Sequence, residues 1–219
     1  MIARLRRRAS DDAGFTLVEM VMTVAIVGFI SVALTGVVFS FMRNTVETQA
    51  RMTESHDVQF AAAYWQRDVA STGVRSTTYD PTSRTFELGQ SVDAVPACGL
   101  PAGATAVVTL AWNEYTSLVS TDAPTVVKVT YASRAAGGGY ELLRVRCVTN
   151  PSTVSVADSL TAPPTLTCDD ASGANTPCAG DGAPNPVPSI VNLRLSVLDA
   201  GGHNTTPYEV TLAGERRQS

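Results

Sequence analysis

The sequence is short of almost everything an enzyme of familiar chemistry would show. It has no G-x-S-x-G, no H-E-x-x-H, no Walker loop and no dinucleotide fingerprint, so nucleophilic hydrolysis, zinc proteolysis and nucleotide chemistry have no motif to stand on. No C-x-x-C occurs, and His56 and His203 are the only histidines, placed without ligand spacing, which removes the usual zinc frames. Lysine is nearly absent, with Lys128 alone against fifteen arginines, and no basic stripe follows residue 14, so nucleic acid is not expected as a main partner. No proline or glycine interrupts residues 43–72. Most telling, no Asp, Glu, Lys or Arg occurs from Met20 to Met42.

What fills that uncharged stretch organises the rest of the chain. Glu19 is the single charge between Phe15 and Met42. A helix over those residues would be about 42 Å long, more than a hydrocarbon core of roughly 30 Å. The segment can therefore span a bilayer, yet it carries a carboxylate one turn in. Such a group costs about 2.5–3.5 kcal/mol at mid-membrane and marks a functional position by default; at headgroup level it would cost little. Arg4, Arg6, Arg7 and Arg8 precede the apolar run and only Arg43 closely follows it. The positive-inside tendency then puts the N-terminus in the cytoplasm and residues 43–219 outside. A secretory signal peptide fits poorly, since the run is too long and no small-x-small site ends it.

The short basic leader, then Gly14-Phe15-Thr16-Leu17-Val18-Glu19 and an unbroken apolar helix, resembles the N-terminus of type IV pilins and pseudopilins. That resemblance implies cleavage between Gly14 and Phe15 by a prepilin peptidase, and N-methylation of the new Phe15 amine. It implies that Glu19 neutralises the Phe15 amine of a neighbouring subunit on filament assembly, since two opposite charges cost less in lipid when paired. The implied partners are that peptidase, other pilin-like subunits, an inner-membrane platform protein and an assembly ATPase. No cofactor and no enzymatic activity are implied. Without residues 1–14 the formal charge moves from −4 to −6, with 12 basic and 18 acidic residues left of 16 and 20.

Beyond Met42 the helical pattern continues to about Gly73. Val58, Ala62, Trp65 and Val69, with Phe60 and Tyr64 alongside, form one apolar face, and Arg51, Glu54, Asp57 and Arg67 the opposite one. Asp68 beside Arg67 and Asp57 beside His56 read as charge on a helix surface. Gly28 and Gly36 weaken the lipid half by about 0.8–1 kcal/mol each relative to Ala. From Ser76 the pattern turns β-like. Thr77–Tyr79 and Thr85–Leu88 flank Asp80-Pro81-Thr82-Ser83 as a first hairpin; Ala106–Trp112 is one strand; Thr125–Ser133 and Tyr140–Thr149 flank three glycines as a second hairpin. Ile190–Leu198 alternates cleanly, and Tyr208–Leu212 could close the sheet. Residues 150–189 hold seven prolines and read as a long ordered loop or insertion.

The expected architecture is α+β and pilin-like: a long N-terminal helix, transmembrane then amphipathic, packed on an antiparallel sheet. The expected divisions are 1–14 leader, 15–42 transmembrane or filament-core helix, 43–73 amphipathic continuation, and 74–219 exported β-rich domain with the insertion at 150–189. The second hairpin (Val-Thr-Tyr, then Glu-Leu-Leu-Arg) and Trp65-Gln66-Arg67-Asp68 look most like J-type minor pseudopilins of type II secretion, with PilW-like minor pilins next. Tip pseudopilins of the K type lack the carboxylate that Glu19 supplies, so a position below the tip or a priming role is implied.

Cys98, Cys147, Cys168 and Cys178 lie in the part read as exported and allow three pairings. Cys168 and Cys178 enclose nine turn-forming residues, which makes a local bridge the simplest choice and leaves Cys98 with Cys147. Asp169, Asp170, Ser172, Asn175 and Asp181 offer hard oxygens of the kind Ca²⁺ takes, and the major pseudopilins have a calcium site; the spacing matches no EF-hand, and a solvated loop is expected instead. Two functions follow. The first is a membrane-stored minor pilin or pseudopilin built into a type IV pilus or type II secretion pseudopilus. The alternative is a membrane-anchored, surface-displayed binding module for adhesion, cargo or DNA uptake, with its ligand at 150–189.

Overall fold

The computed structural model describes residues 14–115, 123–148, 151–180, 186–198, 201 and 205–217. The chain divides into two units, one up to Val46 and one from Glu47 to Ser219. A single helix, α1 (Leu17–Ser71), runs through both. Its apolar N-terminal part is exposed along its whole length, with Phe29 at 81 % and Phe41 at 70 %. It is long and apolar enough to cross a membrane. Thr23, Ser31, Thr35 and Thr45 each donate a hydroxyl hydrogen bond to the carbonyl four residues back, so these polar groups are satisfied within the helix itself.

In the second unit the helix buries Ala50, Glu54, Val58, Ala61, Trp65, Asp68 and Val69. Val58, Trp65 and Val69 are buried as expected, Ala61 is buried where Ala62 was expected and Ala62 is half-buried, and two carboxylates share the face. Glu54, expected on the solvent side, is buried and paired with Arg51 at 2.9 Å. Phe60, expected in the core face, is 42 % exposed and meets Tyr64 edge to face at 5.1 Å. The helix ends where the Thr72 hydroxyl turns back to the Asp68 carbonyl and Gly73 takes a φ of 150°.

Two antiparallel sheets follow. The smaller pairs β1 (Val74–Asp80) with β2 (Thr85–Gly89). Asp80 closes its turn by accepting the N–H groups of Thr82 and Ser83 at 2.9 and 3.1 Å. The Ser83 hydroxyl and these amides hold its carboxyl down at about 2. The larger sheet contains β3 (Ala104–Glu114), β4 (Thr125–Ala136), β5 (Gly139–Cys147), β6 (Ser152–Leu160), β7 (Thr165–Asp169), β8 (Asn175–Thr176), β9 (Ile190–Val197) and β10 (Tyr208–Glu215). Its order is β3-β4-β5-β6-β9-β7-β8, with β10 added to β9. Gly137 (φ 59°) and Gly138 (φ 89°) form the two-residue β4–β5 turn, a conformation that needs two positive φ angles.

The segment expected as a loop is different in the structure. Between Pro151 and Pro177 it forms β6, β7 and β8, and β7 pairs with β9 over five residues. The prolines stand at the ends of these strands, where no ladder N–H is required. The core gathers α1 and one sheet face: Val58, Ala61, Trp65 and Val69 meet Leu110, Val129, Tyr131, Leu142, Leu193, Leu195 and Leu212.

Candidate functional site

Two places gather chemistry, the start of α1 and the buried face of its C-terminal third. At the start, Gly14 is outside the helix and Phe15 is 80 % exposed. The Thr16 carbonyl accepts the Met20 N–H at 3.1 Å, and its hydroxyl oxygen accepts the Glu19 N–H at 3.3 Å. Thr16 is therefore the N-cap and Glu19 the third helical residue, the Thr-x-x-Glu order of a capping box. The Glu19 side chain is exposed at the head of the helix, so it stands available to a cation. Residues 1–13 lie outside those described.

The second place was not foreseen. Asp68, read as surface charge, is 2 % exposed and bound by Arg144 on both oxygens, Nε to Oδ2 at 2.6 Å and Nη2 to Oδ1 at 2.9 Å. The Tyr131 hydroxyl donates to the same Oδ2 at 2.9 Å. Tyr131 and Arg144 are register partners on β4 and β5, which places both on the sheet face under α1. Two guanidinium groups lie over the Tyr64 ring, Arg144 at 5.1 Å and Arg67 at 5.3 Å from its centroid. Burial works against the charge of Arg144, but the Asp68 hydrogen bonds and charge outweigh it and raise its pKa. Burial first, then the Asp68 charge, pushes the Tyr131 phenol well above its ordinary range. Removing one partner of such a pair costs about 3–5 kcal/mol, although the intact pair adds little net stability over an apolar replacement.

A sequence model described as "Prokaryotic N-terminal methylation motif" matches residues 10–35. The chain thus carries a methylation motif of this kind, and α1 leads from it towards an antiparallel sheet. One chain of the GspK-GspI-GspJ complex from the type 2 secretion system of enterotoxigenic Escherichia coli is similar at 10 % identity and a TM-score of 0.38, over 72 % of this chain and 95 % of that one. No curated protein matches in sequence.

The other candidate residues lie apart from both places. Cys98 is joined to Cys147 and Cys168 to Cys178. The first bridge ties the segment before β3 to the end of β5; Cys98 also receives support from the Thr130 hydroxyl oxygen, which accepts its N–H at 3.0 Å. The second joins β7 to the chain just after β8. Asp169 accepts from the Asn192 amide at 2.8 Å. Asp170 Oδ1 accepts the Ser172 and Ala174 N–H groups and the Ser172 hydroxyl, which together lower its pKa, the hydroxyl foremost. The Asp170 carboxylate thus closes the turn while that of Asp169 binds β9, and Asp181 lies outside the described residues. Asp57 is partly buried; burial, then the nearby Asp158 charge, raises its pKa, while exposed His56 approaches it only to 4.0 Å.

A sequence signal for the buried pair existed. Asp68 continues the spacing of Glu54 and Ala61 by seven and follows Trp65 by three, and Arg144 alternates with Leu142 on one strand face.

Proposed function

We propose that this chain is a minor pilin or pseudopilin of the J or PilW kind. It is made with a leader of residues 1–14, stored in the membrane through residues 15–42, and cut by a prepilin peptidase between Gly14 and Phe15. The new Phe15 amine is methylated, and the subunit enters a type IV pilus or type II secretion pseudopilus below its tip. Its N-terminus is cytoplasmic while stored, and residues 74–219 form the exported head. Its partners are other pilin-like subunits, the platform protein and the assembly ATPase.

One observation carries this reading: the methylation motif ends in a capped helix whose third residue, Glu19, is the only charge before Arg43. A carboxylate held at the head of a lipid-length helix is favourable when it meets a cation, and the Phe15 amine of a neighbour is the cation that cleavage creates. The test is intact mass and N-terminal sequencing of the protein from membranes of its own cell. A chain starting at methylated Phe15 is expected. A chain still starting at Met1 would overturn the processing pathway and leave a plain anchor.

A further inference from the structure

The last turns of α1 end beside the residues that follow β10. A cleft of about 350 Å³ lies there, lined by Ala63, Gln66, Arg67, Ala70, Ser71 and Arg217. Arginines near a helix C-terminus can serve its open carbonyls. Here those carbonyls are already taken. The Ser71 hydroxyl donates to the Arg67 carbonyl at 2.9 Å and the Thr72 hydroxyl to that of Asp68 at 3.1 Å. The Thr72 N–H reaches the Val69 carbonyl at 3.0 Å, and the Arg217 N–H that of Ala70 at 3.4 Å. The exposed guanidinium groups of Arg67 and Arg217 are therefore left to the cleft that they line. Arg51, Arg134, Arg144, Arg146 and Arg194 each hold a carboxylate within the Glu47–Ser219 unit. The Arg217 side chain holds none among the described residues. Arg67 comes only to 3.8 Å of Asp68, whose two oxygens Arg144 already occupies. Further positive charge adjoins them: burial first, then the Arg75 charge, lowers the pKa of Arg216. This is a local exception, since the unit carries 17 acidic residues against 11 basic ones, a formal −6.

We propose that this cleft docks an acidic segment of a partner polypeptide, with an Asp or Glu side chain entering between Arg67 and Arg217. Ala63 and Ala70 give its methylenes an apolar floor, and the exposed Gln66 offers its amide to the carboxylate. A charged donor makes the stronger hydrogen bond to such a group, and here two are at hand. A long polyanion such as nucleic acid is disfavoured, because a surface of net negative charge repels it outside the cleft. A short acidic segment meets the arginines within a Debye length of about 8 Å and escapes most of that repulsion. The proposal does not depend on the function proposed above.

The probe is the peptide acetyl-Gly-Glu-Glu-Gly-amide, with acetyl-Gly-Gln-Gln-Gly-amide as its neutral control. The full chain, labelled with ¹⁵N and held in zwitterionic detergent micelles, reports through the Arg67 and Arg217 Nε–H signals and the Gln66 side-chain amide. A large excess of peptide keeps the arginines of residues 1–14 from depleting it. The Glu peptide should shift all three signals saturably, and the Gln peptide should not. Arg67→Gln and Arg217→Gln, read at the signals that remain, should each weaken binding about threefold, the size of an exposed ion pair. Arg84→Gln, in the β1–β2 turn away from the cleft, should leave binding unchanged. An equal response to the Gln peptide, or a loss in Arg84→Gln as large as in the other two, overturns the site. So does unchanged binding in either cleft variant. Tighter binding of an eight-nucleotide oligothymidylate at the same signals would overturn an acidic polypeptide as the occupant.

Discussion

Tyr131 is a titratable residue that the fold keeps neutral, and the consequence is an alkaline limit on stability. An unfolded phenol ionises near about 10. In the folded chain burial, then the Asp68 carboxylate, raises that value. The folded state thus holds the proton to higher pH than the unfolded state. The contribution is complete below about pH 10 and is lost as pH rises from there towards the folded value. Thermal midpoints of wild type and Tyr131→Phe between about pH 8.5 and 11 should show it. The Phe chain should start lower, by about 1.5–3 kcal/mol for a lost bond to a charged group, and then fall less steeply above pH 10. Parallel curves would mean that Tyr131 is not the group responsible. Helix spacing puts Asp68, and strand alternation Arg144, on a buried face, but nothing in the sequence joins the two. Arg67-Asp68 has the appearance of a surface pair, and the true partner of Asp68 is Arg144, 76 positions away. Local periodicity places a residue on a face; it does not say which strand will cross that face.

At the scale of elements, strands were legible where alternation was clean and hidden where proline was dense. β4, β5 and β9 follow from alternating Val, Leu and Tyr between turn residues, and the positive-φ glycines mark one turn directly. β6 and β7 were missed because seven prolines in forty residues suggest a loop, although Thr153-Val154-Ser155-Val156 already alternates between Pro151 and Pro163. The approach of α1 to β10 could not be read at all. Gly214 lies so close to the helix that an added Cβ would come within 2.6 Å of Val69 Cβ and 2.8 and 2.9 Å of its methyl groups. Valine is stiff about χ1, so it cannot simply turn away. Gly214→Ala should therefore destabilise the chain by about 1–3 kcal/mol, measured by chemical denaturation, with part of the loss recovered on adding Val69→Ala. In an uncrowded strand the same change would be neutral or stabilising, because glycine costs more entropy to order. An unchanged or higher midpoint would thus refute the close approach.

For the whole molecule, the decisive contrast lies between a head that folds around its own charges and an anchor whose one charge has no partner in the chain's described residues. Asp68 finds Arg144, Glu54 finds Arg51 and Arg134 finds Glu141, each within the Glu47–Ser219 unit. Glu19 has its backbone N–H capped by Thr16 and its carboxylate exposed. If that carboxylate serves assembly, Glu19→Ala should leave membrane insertion unchanged or slightly improved, because a costly charge has gone from a segment that still meets the length needed to span. Incorporation into filaments should fall, since losing even about 1.4 kcal/mol per added subunit is about tenfold in occupancy. Glu19→Asp should recover part of it by restoring the charge on a shorter arm, and Glu19→Gln should not. Comparing the variant in membrane fractions with that in sheared filaments separates the two effects. Equal filament content for wild type and Glu19→Ala would show that the cap and the apolar helix suffice, and would return Glu19 to the role of an ordinary N-terminal helix charge.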